Sequence, residues 1–592
     1  MPYKESLSRN IRIAFGLIAV LGLLVLTASP IWSADAEIAD AVYQNGPILT
    51  LESDGETVEA LATRDGLILA TGTRASLEPH VGPDTRQIDL KGRTLMPAFV
   101  DGHGHFTFFA SLVDGVNISS PPAGPMKNHA QIVAALKKRI ADEKIPPGET
   151  VFGWGYDDSL LAEGTHPDRD TLDQASTEHP IVLVHVSGHL ATTNSKALKD
   201  FNYTAETADP PGGVLRRRPG SQEPNGVLEE NAMMPAFGFL MGGSPEEKIN
   251  QLVRSQQQVF AKGITTVQDG ATSPESFALL SAAADRELLE IDVVTLPITS
   301  AYDAIAETGP PPMEYRNRLM IGGAKLILDG SPQGKTAYFR DPYFVPPPGR
   351  DAAYRGYPRI EQDEVDATFT KFADLGVPLY THANGDASAD MFVEGLKKAM
   401  AGREEIPNLN VMIHAPLVLE EHLDAMKQYG AVPSLFTAHV FYWGDFHRDS
   451  VMGPERASHL SPTRWAQDRG LLFNMHTDTP IVPYDQFHLV WSAVERKTRS
   501  GKTLGPDQKL TVHEALRAVT YNPAWAYGEA DRKGTLSAGK LADMILVSEN
   551  PYTVDPSEIP DIEILATWKE DRLVHEQRNA KQPLTPSSEN KP

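Results

Sequence analysis

The sequence predicts an α/β fold: a (β/α)8 TIM barrel, with a composite β-sandwich domain from the N- and C-terminal segments and a large insertion after strand 1. Three observations predict it. Apolar runs of strand length alternate with amphipathic helical stretches through the middle of the chain. Candidate metal ligands recur at the C-terminal ends of those runs, where barrel enzymes gather their sites. Short strands broken by turn signals occupy both flanks, each looking like half a sheet.

Taken in order, residues 1–36 read as an export signal. Lys4, Arg9 and Arg12 precede a nearly unbroken apolar stretch at 13–26, and Ala34 and Ala36 supply the small residues a signal peptidase reads. Cleavage after Ala36 would leave a periplasmic or secreted protein. The alternative is an uncleaved anchor, the one route to membrane contact, although the apolar core is short for a span. Residues 37–94 carry strands at 41–43, 47–51, 58–62 and 67–70, separated by Asn45-Gly46, Asp54-Gly55 and Asp65-Gly66. Their partners are expected at 534–547 and 562–568, within a C-terminal half-domain of 531–577.

The barrel spans 95–106 and 261–530. Its strands are read at 94–101, 264–269, 291–298, 322–328, 377–382, 409–414, 431–435 and 471–478, with helical patterns at 363–374, 387–401 and 419–429. The interval 107–260 is too long for one crossover and must hold an inserted subdomain. The tail 578–592 is polar, contains Pro583, Pro586 and Pro592, and reads as disordered.

Composition excludes some chemistries. Lys and Arg total 54 against 78 Asp and Glu, a net charge of −24, so the basic footprint of a nucleic-acid binder is missing. The acidity reads as a self-repelling, soluble surface. There is no cysteine, so disulfides, thiolate nucleophiles and thiolate ligands are all excluded. Any metal must be held by His, Asp, Glu or a modified Lys.

The run from Leu95 to Phe106 ends in Asp101-Gly-His103-Gly-His105. Alternate side chains of an extended strand share a face, so both imidazoles can be offered to one ion. With 18 His in the chain the pair alone is weak. Further along, Lys325 lies in the fourth barrel strand, His382 and His414 end the fifth and sixth, and His476-Thr-Asp478-Thr-Pro480 ends the eighth. Each has an ordinary explanation, as a solvated lysine, a hydrogen-bonded core histidine or an Asp-x-Pro turn. Jointly, the order is far more specific.

That order resembles the amidohydrolase superfamily, and its context resembles the amidohydrolase 3 branch, the YtcJ-like group that includes N-substituted formamide deformylase. The resemblance runs from about residue 40 to 570. It rests on Pro97-Ala-Phe-Val-Asp-Gly-His-Gly-His105, Gly153-Trp-Gly-Tyr-Asp157, Val186-Ser-Gly-His189, Asn194-Ser-Lys-Ala-Leu198, the Lys325 strand, Asn522-Pro-Ala524 and Gly539-Lys-Leu-Ala-Asp543. It implies that His103, His105 and Asp478 hold a first metal, that His382 and His414 hold a second, and that a carboxylated Lys325 bridges two zinc ions. It further implies a metal-activated hydroxide, with Asp478 and Lys325 as the catalytic residues.

The implied reaction is hydrolysis of a non-peptide C–N bond in a small molecule, a linear amide or an N-acyl or N-formyl compound. A cyclic amide, ester or lactone would suit the same site, and a non-catalytic periplasmic binding protein is the rival from another class. A homodimer is compatible with the chain. Candidate substrate contacts are Trp154, Tyr156 and His189 from the insertion, Gln333 and Lys335 from the loop after strand four, and His439 and Trp443 after strand seven, where Asp445 and His447 extend the patch. His476 should share a face with Asp478, as a donor to a ligand, a pocket residue or a purely structural group.

Overall fold

Pro97 decides how the chain enters its fold. In the computed structural model, which describes residues 37–577 apart from 187, 189, 211–212, 237–242 and 348–349, the expected strand at 94–101 is two strands in two sheets. Thr94–Pro97 pairs antiparallel with Met544–Val547, whereas Phe99–Val100 pairs parallel with Ile264–Thr272. Pro97 has no N–H to continue the first ladder. Beyond it, Ala98 N donates to Asp543 O at 3.0 Å and Phe99 N to Gly263 O at 2.9 Å. The signal and tail expected at 1–36 and 578–592, and His189, lie outside the described residues.

The first sheet has eight strands and joins segments from residues 41–97 and 544–576. Its order is Arg572–Glu576, Ile564–Lys569, Met544–Val547, Thr94–Pro97, Ala41–Leu49, Thr57–Arg64 and Leu67–Gly72, with Arg86–Asp89 beside Ala41–Leu49. The strands expected at 41–43 and 47–51 are one. Asn45, at φ +66°, sits at a register shift between Gln44 and Ile48, so Asn45-Gly46 is a bulge within a strand and makes no hairpin. A Cβ on Gly46 would lie 2.2 Å from Arg93 O, which explains the glycine. Asp65 and Gly66, both at positive φ, do make the expected tight turn.

Two five-stranded sheets follow. One holds Phe99–Val100, Ile264–Thr272, Asp292–Pro297 and Leu319–Ile321 in parallel, with Tyr315–Arg316 antiparallel at its edge. The other holds Ala324–Ile327, Leu379–Ala383, Asn410–His414, Val432–Leu435 and Asn474–Met475, all parallel. Parallel bridges Ile298–Lys325 and Gly104–Thr479 connect the two. The strand read at 322–328 starts only at Ala324, because Gly323 turns the chain between sheets and a Cβ there would meet Pro378 O at 2.6 Å. The strand read at 471–478 shrinks to Asn474–Met475. Helices Gln362–Leu375, Asp386–Met400 and Glu420–Tyr429 fall where their apolar spacing puts them.

Residues 116–230 supply a separate six-stranded sheet, from Val116–Asn117 through Val151–Tyr156 and Ile181–His185 to Gly213–Arg217. Helix His129–Glu143 buries Ile132 and Leu136 in a core with Val151, Ile181 and Leu183. The chain returns through helix Pro245–Phe260, opened by a Ser244/Glu247 capping box. Its Ile249, Leu252 and Phe260 share a core with Phe99, Phe106 and Val267.

Buried charges tie the C-terminal strands to the parallel sheet. Asp292, at the start of its strand, is 2.6 Å from Lys533 Nζ, 2.7 Å from Lys569 Nζ and 2.9 Å from Arg318 Nη1, and Lys569 also reaches Asp543 at 2.7 Å. Burial pushes the Asp292 carboxyl up, but the three cations outweigh it and hold the group far below its usual range. Lys569→Met removes a cation shared by two buried carboxylates. It should cost about 3 kcal/mol in urea unfolding, since breaking a buried pair strands the remaining charge. A loss under about 0.5 kcal/mol, the range of an ordinary surface substitution, would show that the network contributes little.

Candidate metal centre

Main-chain bonds assemble the site. Asp478 N donates to His103 O at 3.1 Å, His105 N to Thr479 O at 2.8 Å and Gly270 N to Gly104 O at 2.8 Å. The turn after the first parallel strand is thus clamped between its two neighbours. Gly270 leaves room for the first imidazole: a Cβ there would stand 2.5 Å from His103 Cε1. Asp269 accepts from Thr107 N at 2.8 Å and Thr107 Oγ1 at 2.7 Å, which fixes the segment just past His105.

The side chains converge. Asp478 Oδ1 lies 3.4 Å from His103 Nε2 and 3.2 Å from His105 Nε2. Lys325 Nζ is 3.2 Å from His103 Nε2. His382 Nδ1 is 3.0 Å from His414 Nε2, and His414 Nδ1 is 3.8 Å from Asp478 Oδ2. The structure therefore brings together His103, His105, Lys325, His382, His414 and Asp478. The far nitrogens are held as well, His103 Nδ1 by Gln268 Oε1 and His105 Nδ1 by Gly270 O at 2.7 Å. His382 Nε2 meets Asn384 Nδ2 at 3.0 Å and lies 3.4 Å from Asp329 Oδ1. Such partners orient an imidazole for ligation.

The donor set fits a divalent metal. Ligand atoms about 2.1 Å from a tetrahedral ion stand about 3.4 Å apart, close to the distances of His103 and His105 from Asp478 Oδ1, and His103, His414 and Asp478 offer ligand atoms all within 4.8 Å of one another. Asp478 Oδ1 is buried with no aligned hydrogen-bond donor, a costly state for a carboxylate oxygen that a cation would relieve. Burial holds His103 and His414 well below the usual imidazole range, so both are the neutral form that ligation needs. Burial also pulls the Lys325 amine down to about 7. At His105 burial acts downward, but the contact with Asp478 prevails and raises it, while the same contact lowers Asp478 against the upward push of its own burial.

The remaining candidates separate. His476 Nε2 lies 3.2 Å from His414 Nδ1 and its Nδ1 2.8 Å from Ser434 Oγ, so it braces His414. Trp154 and Trp443 line one narrow cleft together with Ile481, whose N donates to Asp478 O at 2.8 Å. Tyr156 points into the inserted subdomain, with its hydroxyl 3.1 Å from His166 Nδ1. Lys335 is occupied elsewhere, bonding Val345 O at 2.7 Å and Ser450 Oγ at 2.8 Å. No described contact brings Lys335 or Gln333 to the cluster. Asp445 braces a loop through Arg448 and Ser500. A second group, Asp157, Asp158 and His185, lies half-buried in the insertion, with His185 Nε2 3.1 Å from Asp158 Oδ1.

Gln268, Asp269, Asp329 and Ser434 were missed as supports. Gln268 and Asp269 end the expected strand 264–269, so the strand-end rule that picks out the candidate ligands points to them too.

This cluster lies inside a stretch of known type, for residues 86–575 match the Amidohydrolase family. The chain belongs to the amidohydrolase family. This amidohydrolase is 25% identical over 562 residues to an N-substituted formamide deformylase of Arthrobacter pascens, covering 91% of this chain and 99% of the relative. It is 26% identical over 551 residues to the protein LONG AFTER FAR-RED 3 of Arabidopsis thaliana, covering 90% and 91%. The crystal structure of an uncharacterized metal-dependent hydrolase from Pyrococcus horikoshii superposes with a TM-score of 0.68 at 24% identity, covering 87% of this chain and 99% of that one.

Burial holds His476 at about 3. Its unfolded value of about 6.5 is higher, so below that pH the unfolded chain takes up a proton the folded chain refuses, and stability falls as pH falls. The metal-free amidohydrolase should therefore weaken between pH 7 and 5. His476→Gln should reduce that loss by about 2 kcal/mol, at about 1.4 kcal/mol per pH unit. Urea unfolding checks it; identical slopes in both proteins would contradict the assignment.

Proposed function

We propose that this amidohydrolase cleaves a non-peptide C–N bond, in a linear amide or an N-acyl or N-formyl compound, using two zinc ions bridged by a carboxylated Lys325. The observation that carries this reading is the convergence of four histidines, a buried lysine and the buried Asp478 carboxylate beside a cleft walled by Trp154 and Trp443. The similarity to a formamide deformylase supports the bond class. We read the two parallel sheets and their two bridges as one (β/α)8 barrel (95–106 and 261–530), with 107–260 inserted and 37–94 plus 531–577 as a composite β-sandwich. The charge and apolar pattern of 1–36 support export to the periplasm or beyond.

His103, His105 and Asp478 would hold one ion, and His382 and His414 the other. Lys325 is suited to the bridge because burial leaves much of its amine neutral near pH 7, and the neutral amine adds to carbon dioxide, releasing a proton to give a carbamate. When bound, the ions supply a water acidified toward neutral pH and polarise the substrate carbonyl. Asp478 takes the proton of the attacking water and returns it to the departing nitrogen. His476 keeps the His414 ring oriented, and Trp154 and Trp443 flank the apolar part of the substrate.

The zinc-loaded chain should hydrolyse members of a panel of N-acyl amino acids and N-substituted formamides, and lactams more slowly. Failure on every linear amide would sink the reading. Lys325→Ala should leave at most one metal per chain by elemental analysis and lower kcat by at least about 100-fold, as losing a transition-state charge stabiliser does. Two metals with full activity in that variant would rule out the carbamate bridge.

A further inference from the structure

His439 and His447 form a buried pair on the loop after the Val432–Leu435 strand, and no step above uses them. Their rings stack at 5.1 Å and 13°, with His439 Nδ1 2.8 Å from His447 Nε2. The other nitrogen of His447, Nδ1, is buried and has no hydrogen-bond partner. A proton there would be a stranded N–H donor, and buried orphan donors are rarer than orphan acceptors. The His447 proton therefore belongs on Nε2, where it is donated to His439 Nδ1. With Nδ1 accepting, a neutral His439 carries its own proton on Nε2, at the ring edge turned away from His447.

The His439 ring stands at a useful place. The His439 ring is 4.5 Å from Phe436 and 5.0 Å from Trp443. Phe436 packs 5.1 Å from His476 and 6.2 Å from His414, while Trp443 walls the cleft. His439 thus packs on one ring that neighbours His414 and His476 and on another that walls the cleft. Burial keeps both rings neutral, His447 at about 3 and His439 well below the usual imidazole range, so the tautomer is set by the hydrogen bond.

We propose that His439 Nε2–H donates a hydrogen bond to the substrate carbonyl oxygen as it gains charge, and that His447 is the positioning residue that fixes the required His439 tautomer. This rests on the reading of the chain as an amide hydrolase. A preorganised donor aimed at a developing oxyanion typically contributes two to three orders of magnitude to kcat.

The test uses the zinc-loaded full chain and the amide it turns over fastest in the panel. His439→Phe should lower kcat about 100-fold, change KM by less than about threefold and leave metal content unchanged. His447→Gln, whose amide can still donate to His439 Nδ1, should stay within about fivefold of wild type, whereas His447→Phe should fall as far as His439→Phe. His439→Leu repeats the first arm if the Phe variant fails to fold. A kcat within about threefold of wild type in the His439 variant, or equal losses in His447→Gln and His447→Phe, overturns the proposal while the hydrolase reading stands. No turnover of any amide by the wild type overturns both.

Discussion

The site depends on a main-chain seam between the turn at 103–105 and the loop at 478–479. Three of its candidate ligands, His103, His105 and Asp478, lie at opposite ends of the parallel sheets in sequence, and backbone bonds of 3.1 and 2.8 Å hold them together. Side-chain rotamers could not enforce this alone, since an imidazole on a free strand end has several staggered choices. Fixing the backbone first leaves each ring few ways to point, and Gln268 and Gly270 O select among them. Two of the residues at the site also hold unfavourable backbone: His414 at φ +73° and Asp478 at φ +55°. Such conformations cost about 1–3 kcal/mol each and persist where the surroundings over-determine them.

The same enclosure sets the electrostatics. His103, His414 and His476 are all nearly sealed from water and sit close together, so protonating any one is opposed by burial and by its neighbours. The result is a nest of neutral nitrogen donors around one carboxylate. Asp101 shows the other side of this: burial pushes its carboxyl up to about 7, and its Oδ1 has no partner. A carboxyl so placed, with no aligned cation, is more cheaply kept neutral.

Much of this was legible in the sequence, and the misses share a cause. The positions of His103, His105, His382, His414 and Asp478 at or just past strand ends follow from apolar runs that stop abruptly, a signal that depends on nothing distant, and Lys325 stands out as a cation within an apolar strand. The helices at 362–375, 386–400 and 420–429 were readable for the same reason. Where the reading failed, a distant partner decided the outcome. Asn45-Gly46 has the composition of a hairpin turn, yet Arg93 packs against it and makes it a bulge. Residues 94–101 read as one strand, yet Met544–Val547 claims the first half and Ile264–Thr272 the second. Lys335 looked like a pocket cation until Val345 and Ser450 captured it. Local composition does not encode such captures.

The split at Pro97 also bears on the order in which the molecule can be made. Thr94–Pro97 finds its antiparallel neighbour only at Met544–Val547, and the His103 turn it leads into finds its clamp only at Asp478 and Thr479. Both partners follow it by several hundred residues. The turn at 103–105 is therefore synthesised long before its clamp at 478–479 can form, and contacts so distant in sequence form slowly. The geometry at 103–105 is thus completed by contacts that span most of the barrel sequence, and it cannot form in a segment that stops short of residue 479.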